Sequence, residues 1–318
     1  GGGSLGGGHP GGRPPQRALD AFLRQRPKGS AVQYVIFGLV TGSILAMATV
    51  GFSMVRQTEG FLNIAHGQFL ALAAFVGLFA SRDLGMPTWF AALFAAVATG
   101  VAAVALSVVV FEPIRQKGVL VQLFSSVGVA YIIYGLLVMI FGANLQHYEV
   151  SFGTSYSVAG MQISFGEIAI MATAAVAILA LHVFLTKTPA GISVRAVATN
   201  PDLARVRGIS TRLVSYQVWF IAGFLAGLAG VMIGIIGSVG PELGWQNIIL
   251  ILAAAVLGGL GSTYGVIMAS LLLGLAMDLS ALLIPTSYRT VVAFAALIIV
   301  LLFKPSGLFS VRQRKQAA

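Results

Sequence analysis

The sequence contains no cysteine, and charged residues make up only 9% of it. Without cysteine, neither a disulfide framework nor a thiolate metal site can form. A soluble domain usually carries about 25% charged residues, so this scarcity of charge excludes water as the main solvent of the folded chain. Acidic residues are the rarer kind, with 9 against 19 lysines and arginines, and the formal net charge is +10.

Motifs of the common enzyme classes are also absent from the sequence. It has no Gly-x-x-x-x-Gly-Lys-Ser/Thr phosphate loop, no His-Glu-x-x-His zinc motif and no Gly-x-Ser-x-Gly nucleophile elbow. We therefore expect a chain that is not an enzyme, holds no cofactor of its own and does not bind ATP through a phosphate loop.

Few ionisable residues are placed where proton coupling would need them. An ion-coupled carrier usually requires an ionisable relay at mid-membrane, where such residues are costly. Glu112, Glu167 and Asp278 lie at the ends of apolar segments, and His66 is the one plausible relay. This pattern disfavours an ion-coupled carrier but leaves a stand-alone channel for small neutral solutes open.

Apolar residues dominate the chain, with a hydrophobic fraction of 58% and a mean hydropathy of +0.93. Runs near 20 residues recur, and each is long enough to cross about 30 Å of hydrocarbon. Eight segments are predicted, at residues 31–53, 60–80, 89–111, 119–142, 165–185, 212–236, 247–277 and 289–303. They lack the two-residue alternation of a membrane barrel, so the sequence predicts an all-α integral membrane protein. Glycines and alanines such as Gly223, Gly227 and Gly230 predict close helix packing.

Most lysines and arginines fall into three clusters that flank apolar segments, Arg13 to Lys28, Lys187 to Arg212 and Lys304 to Lys315. Such clustering favours retention on the cytoplasmic side of a membrane over binding to nucleic acid. Both termini and the loop at 186–211 are therefore expected in the cytoplasm.

Eight complete crossings cannot place all three clusters on one side, because odd numbers of segments separate them. Segments 60–80 and 247–277 contain polar or glycine-rich interruptions, and we expect them to be broken or re-entrant. The alternative is that one or both cross fully and the charge rule is violated. Broken helices at membrane depth face protein or a water-filled cavity, so these segments are candidates to line a path.

The loop at 186–211 has the signature of two short helices. Residues Gly191 to Thr199 can form the first, and Asn200, Pro201 and Asp202 supply an N-cap, a first-turn proline and a dipole-favoured acid for a second helix that ends near Gly208. The cations on this helix-turn-helix are Arg195, Arg205 and Arg207. They can pair with an acidic groove on a cytoplasmic partner, or the element can anchor in lipid headgroups.

Four stretches carry a family resemblance: Phe61 to Phe69 (FLNIAHGQF), Arg195 to Ile209 (RAVATNPDLARVRGI), Leu257 to Gly265 (LGGLGSTYG) and Lys304 to Phe309 (KPSGLF). Over about residues 35–310 the chain resembles the high-affinity branched-chain amino acid permeases of ABC importers. That family also includes urea permeases, so leucine, isoleucine, valine and urea all remain open as substrates.

The resemblance implies an organisation and a set of partners. It implies a permease domain at 30–310 with coupling helices at 190–209. From composition we expect a flexible basic tail at 1–29, whose glycine-rich residues 1–12 are a linker or a disordered native tail, and from charge a cytoplasmic tail at 311–318. The partners it implies are an identical or homologous second permease, two ATPase subunits that hold ATP and Mg, an extracytoplasmic substrate-binding protein and the bilayer of the bacterial inner membrane.

The resemblance also assigns candidate roles to individual residues. The residues expected to couple the permease to the ATPases are Arg195, Asn200, Asp202, Ala204, Arg205, Arg207 and Gly208, and Ala204 and Gly208 are small enough for close docking. The residues expected along the path are Asn63, His66, Gln68, Ser262 and Tyr264. For these five, helix capping or satisfaction of the backbone is the alternative role.

Overall fold

The computed structural model describes residues 31–149, 155–158 and 161–309. The predicted tails at 1–29 and 311–318 lie outside the described residues. Within the described part the all-α prediction is confirmed, and the strands there form a single antiparallel hairpin of β1 (Ser155–Val158) and β2 (Met161–Ser164).

Eleven helices form the described bundle, and we number them in chain order. They are α1 (Ala31–Glu59), α2 (His66–Arg82), α3 (Thr88–Leu106), α4 (Val119–Phe141), α5 (Phe165–Lys187), α6 (Pro189–Thr199), α7 (Pro201–Val206), α8 (Thr211–Ile236), α9 (Leu243–Gly258), α10 (Thr263–Ser280) and α11 (Arg289–Phe303). A π turn (Ser107–Phe111) and two further short turns carry α3 on to Lys117, and a 3₁₀ turn (Thr286–Tyr288) precedes α11.

Seven of the described helices are long and apolar enough to cross a membrane, namely α1, the extended α3, α4, α5, α8, α10 and α11. Helices α2 and α9 are shorter, with 17 and 16 residues. At 1.5 Å per residue, each of these two covers only about 25 Å. Each of them follows a non-helical stretch, residues 60–65 before α2 and residues 237–242 before α9.

The two segments with polar or glycine-rich interruptions are indeed broken. Helix α1 ends at Glu59, the backbone turns at Gly60 with φ +84°, and α2 starts only at His66. The second segment divides at Gly259, where φ is +92°, into α9 and α10. Positive φ is a conformation that glycine adopts without a steric penalty, which explains why these breaks are encoded by glycine.

Contacts between long helices set their directions. A Cβ at Gly38 of α1 would meet Leu275 of α10, while Gln57 at the other end of α1 approaches Thr263. Helices α1 and α10 are therefore antiparallel.

Helices α8 and α3 are also antiparallel, because Gly223 packs on Ala103 and Gly227 packs on Ala96. The two short helices meet at their first turns, where Gly67 packs against Gly244. The order of long helix, break, short helix and long helix in α1–α3 thus recurs in inverted orientation in α8–α10. Inverted repeats with broken helices at their interface are common in membrane transporters.

The bundle has two ends, which we call the loop end and the far end. Glu59 and Ser215, joined by a hydrogen bond, mark the loop end, which also carries α6 and α7. The stretch after α11 returns there, since the Leu308 N–H donates to the Leu257 carbonyl at 2.7 Å. The ion pair of Asp278 and Arg289 marks the far end.

These ends confirm the predicted topology between the 186–211 loop and the stretch at Lys304, and they correct it for segment 60–80. Because 247–277 consists of two oppositely directed helices, an even number of passes separates the 186–211 loop from the stretch at Lys304, and both lie at the loop end. Segment 60–80 runs from the loop end to the far end, so it is broken but not re-entrant. Helix α1 consequently begins at the far end, and the first basic cluster, at 13–28, lies outside the described residues.

The core of the bundle lies between the two repeats. The apolar windows of α1 and α8 are 78% and 72% buried, against 22% for α5 and 6% for α11. Gly230 shows how closely the core helices approach, because a Cβ there would lie 2.1 Å from the Leu70 carbonyl oxygen of α2. The predicted close packing of glycines along 212–236 is confirmed, and the peripheral helices leave apolar faces for lipid or a partner.

Candidate functional site

The structure does not bring the five predicted path residues together. Asn63, His66 and Gln68 lie buried around the start of α2, each at most 1% exposed. Ser262 and Tyr264 lie at the start of α10, at the loop end. The sequence therefore marked two separate places rather than one site.

The buried group sits where the two short helices meet. His66 Nε2 lies 2.9 Å from the Ala48 carbonyl oxygen of α1, which ties α2 to α1. Neither side-chain amide of Asn63 and Gln68 has a hydrogen-bond partner among the described residues. Gln68 packs against Gly244, where a Cβ would lie 2.6 Å from the Gln68 Cδ. Buried polar groups are nearly always paired, so these two amides hold unused hydrogen-bonding capacity inside the bundle.

Ser262 and Tyr264 have local structural partners. The Ser262 hydroxyl accepts a hydrogen bond from the Gly265 N–H at 3.0 Å and caps α10. The Tyr264 hydroxyl lies 2.7 Å from His182 Nδ1 of α5. Both residues line a cavity of about 340 Å³ that Arg195 also borders. For Ser262 the capping role is thus observed directly.

A polar surface that the sequence reading missed lies before α9. Glu242 is exposed, and its Oε1 accepts a hydrogen bond from the Tyr134 hydroxyl of α4 at 2.7 Å. The rings of Tyr131 and Trp245 lie beside them, with centroids 4.8 Å apart. Hydropathy placed Glu242 in a connection between segments, although Pro241 and Glu242 before an apolar run form a helix-start signal that could have located it.

The helix-turn-helix predicted in the basic loop is present as α6 and α7. The Thr188 hydroxyl accepts from the Gly191 N–H at 3.0 Å and caps α6. The Asn200 Oδ1 accepts from the Leu203 N–H at 3.0 Å and caps α7, with Pro201 in its first turn, as predicted. Each capping bond satisfies a backbone donor that a helix start otherwise leaves without a partner.

The surface that this element presents differs in part from the prediction. Arg195, Arg205 and Arg207 are exposed, and Arg205 pairs with Asp202 at 3.4 Å. Ala204, however, is only 3% exposed and packs into the bundle, so its small side chain does not contribute to a docking face.

Gly208 is exposed at φ +78°, a conformation that itself favours glycine. The apolar side chains on the exposed side are instead Leu203, at 57% exposure, and Val206, at 83%. We call Leu203, Val206 and the three arginines the loop face.

Ion pairs fasten three helix ends beneath the loop face. Arg115 contacts Glu59 at 3.2 Å, and the Ser215 hydroxyl donates to the same carboxylate. Arg212 contacts Glu112 at 2.6 Å. These pairs join the end of α1, the extension of α3 and the start of α8. Because the Glu59 side chain is only 5% exposed, its pairing offsets a large desolvation cost.

At the far end, the stretch after α4 is tied to the core. The Tyr148 hydroxyl donates to the Ala74 carbonyl oxygen at 2.7 Å, and burial raises the pKa of this phenol well above its usual range. Tyr148 therefore remains a protonated donor at physiological pH. Across the described residues, no group of three or more His, Cys, Asp or Glu could hold a metal ion.

A family model described as "Branched-chain amino acid transport system / permease component" matches residues 34–301. The chain belongs to this permease family. The match covers every described helix except the outer turns of α1 and α11, and it includes the core junction, Glu242 and the loop face.

Individual relatives of this permease agree with the family. The chain is 30% identical over 292 residues to the high-affinity branched-chain amino acid transport system permease protein BraD of Pseudomonas aeruginosa. This alignment covers 87% of the present chain and 95% of BraD. It is also 30% identical over 293 residues to the permease protein LivH of Escherichia coli K12, in an alignment that covers 87% of the present chain and 94% of LivH.

A solved structure is similar to this permease in fold. A chain of PsaBC from Streptococcus pneumoniae, solved in complex with Fab, matches with a TM-score of 0.50 and covers 91% of this chain and 97% of that one. The sequence identity is 17%, so the likeness concerns the fold alone.

Proposed function

We propose that this permease forms one half of the translocation path of an ATP-driven importer for branched-chain amino acids in a bacterial inner membrane. The loop face carries the proposal, because it exposes Leu203 and Val206 beside three arginines on a capped, surface-lying helix pair. A stand-alone channel needs no such surface, whereas energy coupling requires a place where an ATPase subunit docks. The descriptions of BraD and LivH support the substrate class.

We assign the remaining subunits to the two ends of the bundle. Two ATPase subunits, which hold the ATP and Mg, dock at the loop end, and an extracytoplasmic binding protein delivers substrate at the far end. A second permease, identical or homologous, completes the path. A urea or other small-solute permease is the second candidate. The buried amides of Asn63 and Gln68, which no described residue pairs, would suit a neutral polar solute.

Uptake by the reconstituted importer tests this function. Proteoliposomes that contain both permeases and the ATPases, with ATP inside and binding protein outside, should accumulate labelled leucine against its gradient. The purified permease alone should hydrolyse no ATP, since it has no phosphate loop. Accumulation of urea but not leucine would select the second candidate. Solute equilibration without ATP would instead identify a channel and overturn the proposal.

We further propose that the loop end, including the stretch at Ser306, faces the cytoplasm, while α1 begins on the external side. The chain has no native cysteine, so single cysteines can report on each position. In intact cells, a membrane-impermeant maleimide should label Asp83→Cys at the far end but not Ser193→Cys on α6 or Ser306→Cys. Labelling of Ser193→Cys before permeabilisation would contradict this orientation.

A further inference from the structure

Glu242 places an exposed carboxylate within the depth of the spanning helices. Its partner Tyr134 lies seven residues before the end of α4 at Phe141, a depth of about 10 Å along that helix. No salt bridge to Glu242 occurs among the described residues. A carboxylate at such depth is costly against lipid and is retained where it meets a water-filled path or a partner.

Aromatic groups and open space adjoin this carboxylate. Tyr131 is 62% exposed, and its ring lies against that of Trp245 in the first turn of α9. On α4, a Cβ at Gly128 or at Gly135 would meet no atom within 4 Å. We call Tyr131, Tyr134, Glu242 and Trp245 the Glu242 shelf. It combines a hydrogen-bond acceptor for a cation with apolar ring surface, beside an open face of α4.

A second polar group lies behind the shelf. Gln68 is 1% exposed, has no hydrogen-bond partner for its amide among the described residues, and packs on Gly244 in the first turn of α9. That turn is the positive end of the dipole of a 16-residue helix. The start of α9 therefore brings together the negative charge of Glu242, the buried amide of Gln68 and a helix N-terminus. Broken helices form binding sites of this kind in other transporters.

We propose that the Glu242 shelf is a substrate-binding site on the translocation path, where Glu242 accepts the α-ammonium group of an amino acid and Tyr131 and Trp245 contact its apolar side chain. This inference rests on the proposed function and narrows it. Molecules that lack the ammonium group, such as urea or an N-acylated amino acid, would leave the carboxylate without its cation and bind poorly.

Glu242→Gln tests the site in the complete importer, because it keeps the shape of the side chain and removes its charge. We expect leucine uptake to fall about tenfold or more, the loss typical of a charge-assisted hydrogen bond. Assembly of the complex and its basal ATP hydrolysis should stay at the parent level. Asp83→Asn removes an exposed carboxylate at the same end of the bundle and is the matched control, with unchanged uptake expected.

Direct binding separates the site from a purely structural role. Millimolar leucine should change the tryptophan fluorescence of the purified permease pair, and the change should vanish in both Glu242→Gln and Trp245→Phe. N-acetyl-leucine should give no change. Equal responses to leucine and N-acetyl-leucine would overturn the proposal.

Two outcomes of the uptake experiment would also overturn it. Uptake by Glu242→Gln at the parent rate would show that the carboxylate is dispensable, and dissociation of the two permeases in that variant would show that Glu242 pairs with the second permease. If the parent importer itself accumulates no amino acid, the proposed function fails instead, so the two failures are distinguishable.

Discussion

Gly230→Val is expected to destabilise the bundle strongly. A Cβ at this position would lie 2.1 Å from the Leu70 carbonyl oxygen and 2.7 Å from the Leu70 Cα. These atoms belong to the backbone of α2, so no side-chain rotation can relieve the clash, and α8 must move away from α2. Overpacking in a core usually costs about 1–3 kcal/mol, and we expect this variant to lie at or above the top of that range.

The effect can be measured by size-exclusion chromatography and thermal denaturation of the detergent-solubilised permease. Gly128→Ala is the matched control, because a Cβ there meets no atom within 4 Å. In an exposed helix position this change should be neutral or slightly stabilising, since alanine exceeds glycine in helix propensity by about 1 kcal/mol. A Gly230→Val protein as stable as the parent would contradict the close approach of α8 and α2.

The helices and their breaks could be predicted because local sequence determines them. Apolar runs predict spanning helices, and glycines at 60 and 259 mark the two breaks, at each of which the backbone adopts positive φ. The caps of the surface helices were equally local, because Asn200 needs only the Leu203 N–H three residues away. These features depend on interactions between residues a few positions apart, so the residue types involved can be recognised together in the sequence.

The course of the chain between the two ends could be predicted only in part in this way. Segment 247–277 was expected to be broken or re-entrant, and it does divide at Gly259 into α9 and α10. Segment 60–80 was expected to behave in the same way, but its single helix α2 runs on to the far end. Charge patterns identify a side only when the passes are counted correctly. The inverted relation of α1–α3 to α8–α10 depends on contacts such as Gly67 with Gly244, far apart in sequence.

Residue type alone also could not separate functional from structural polar groups. Asn63, Gln68 and Ser262 all stand next to helix breaks, yet Ser262 forms a capping bond, while the two amides have no hydrogen-bond partner within the described part of the chain. Glu242 was missed because its environment is created by α4, more than 100 residues earlier in the chain. From sequence alone, a carboxylate beside a helix start is interpreted as a solvent-exposed cap, because the neighbouring helix that contacts it is not known.

Gly208 is a poor position at which to test docking by substitution. A bulky residue such as tryptophan at Gly208 should lower uptake and substrate-stimulated ATP hydrolysis, but φ +78° would strain any L side chain there, alanine included. Loss of function in Gly208→Trp would therefore not distinguish poor docking from a distorted turn. Val206 has ordinary helical geometry at the end of α7 and is 83% exposed, so a change there alters the surface alone.

Val206→Asp is expected to abolish coupled transport while the permease still folds and inserts. If the loop face enters a groove on the ATPase, this change removes apolar contact area. The three arginines indicate that the groove is acidic, so the new carboxylate would also be repelled by it. Substitution at the centre of an interface can cost about 2 kcal/mol or more, which corresponds to a loss of affinity of roughly thirtyfold.

Co-purification of the ATPase subunits with the permease measures the effect of Val206→Asp on docking, and proteoliposome uptake measures its effect on transport. Leu84→Asp makes the same kind of change at an exposed leucine of the far end and should leave ATPase binding intact. Val206→Ala should be intermediate, since it shortens the side chain without adding charge. If Val206→Asp retains its ATPases and transports at the parent rate, the loop face is an anchor in the lipid headgroups and the docking proposal is wrong.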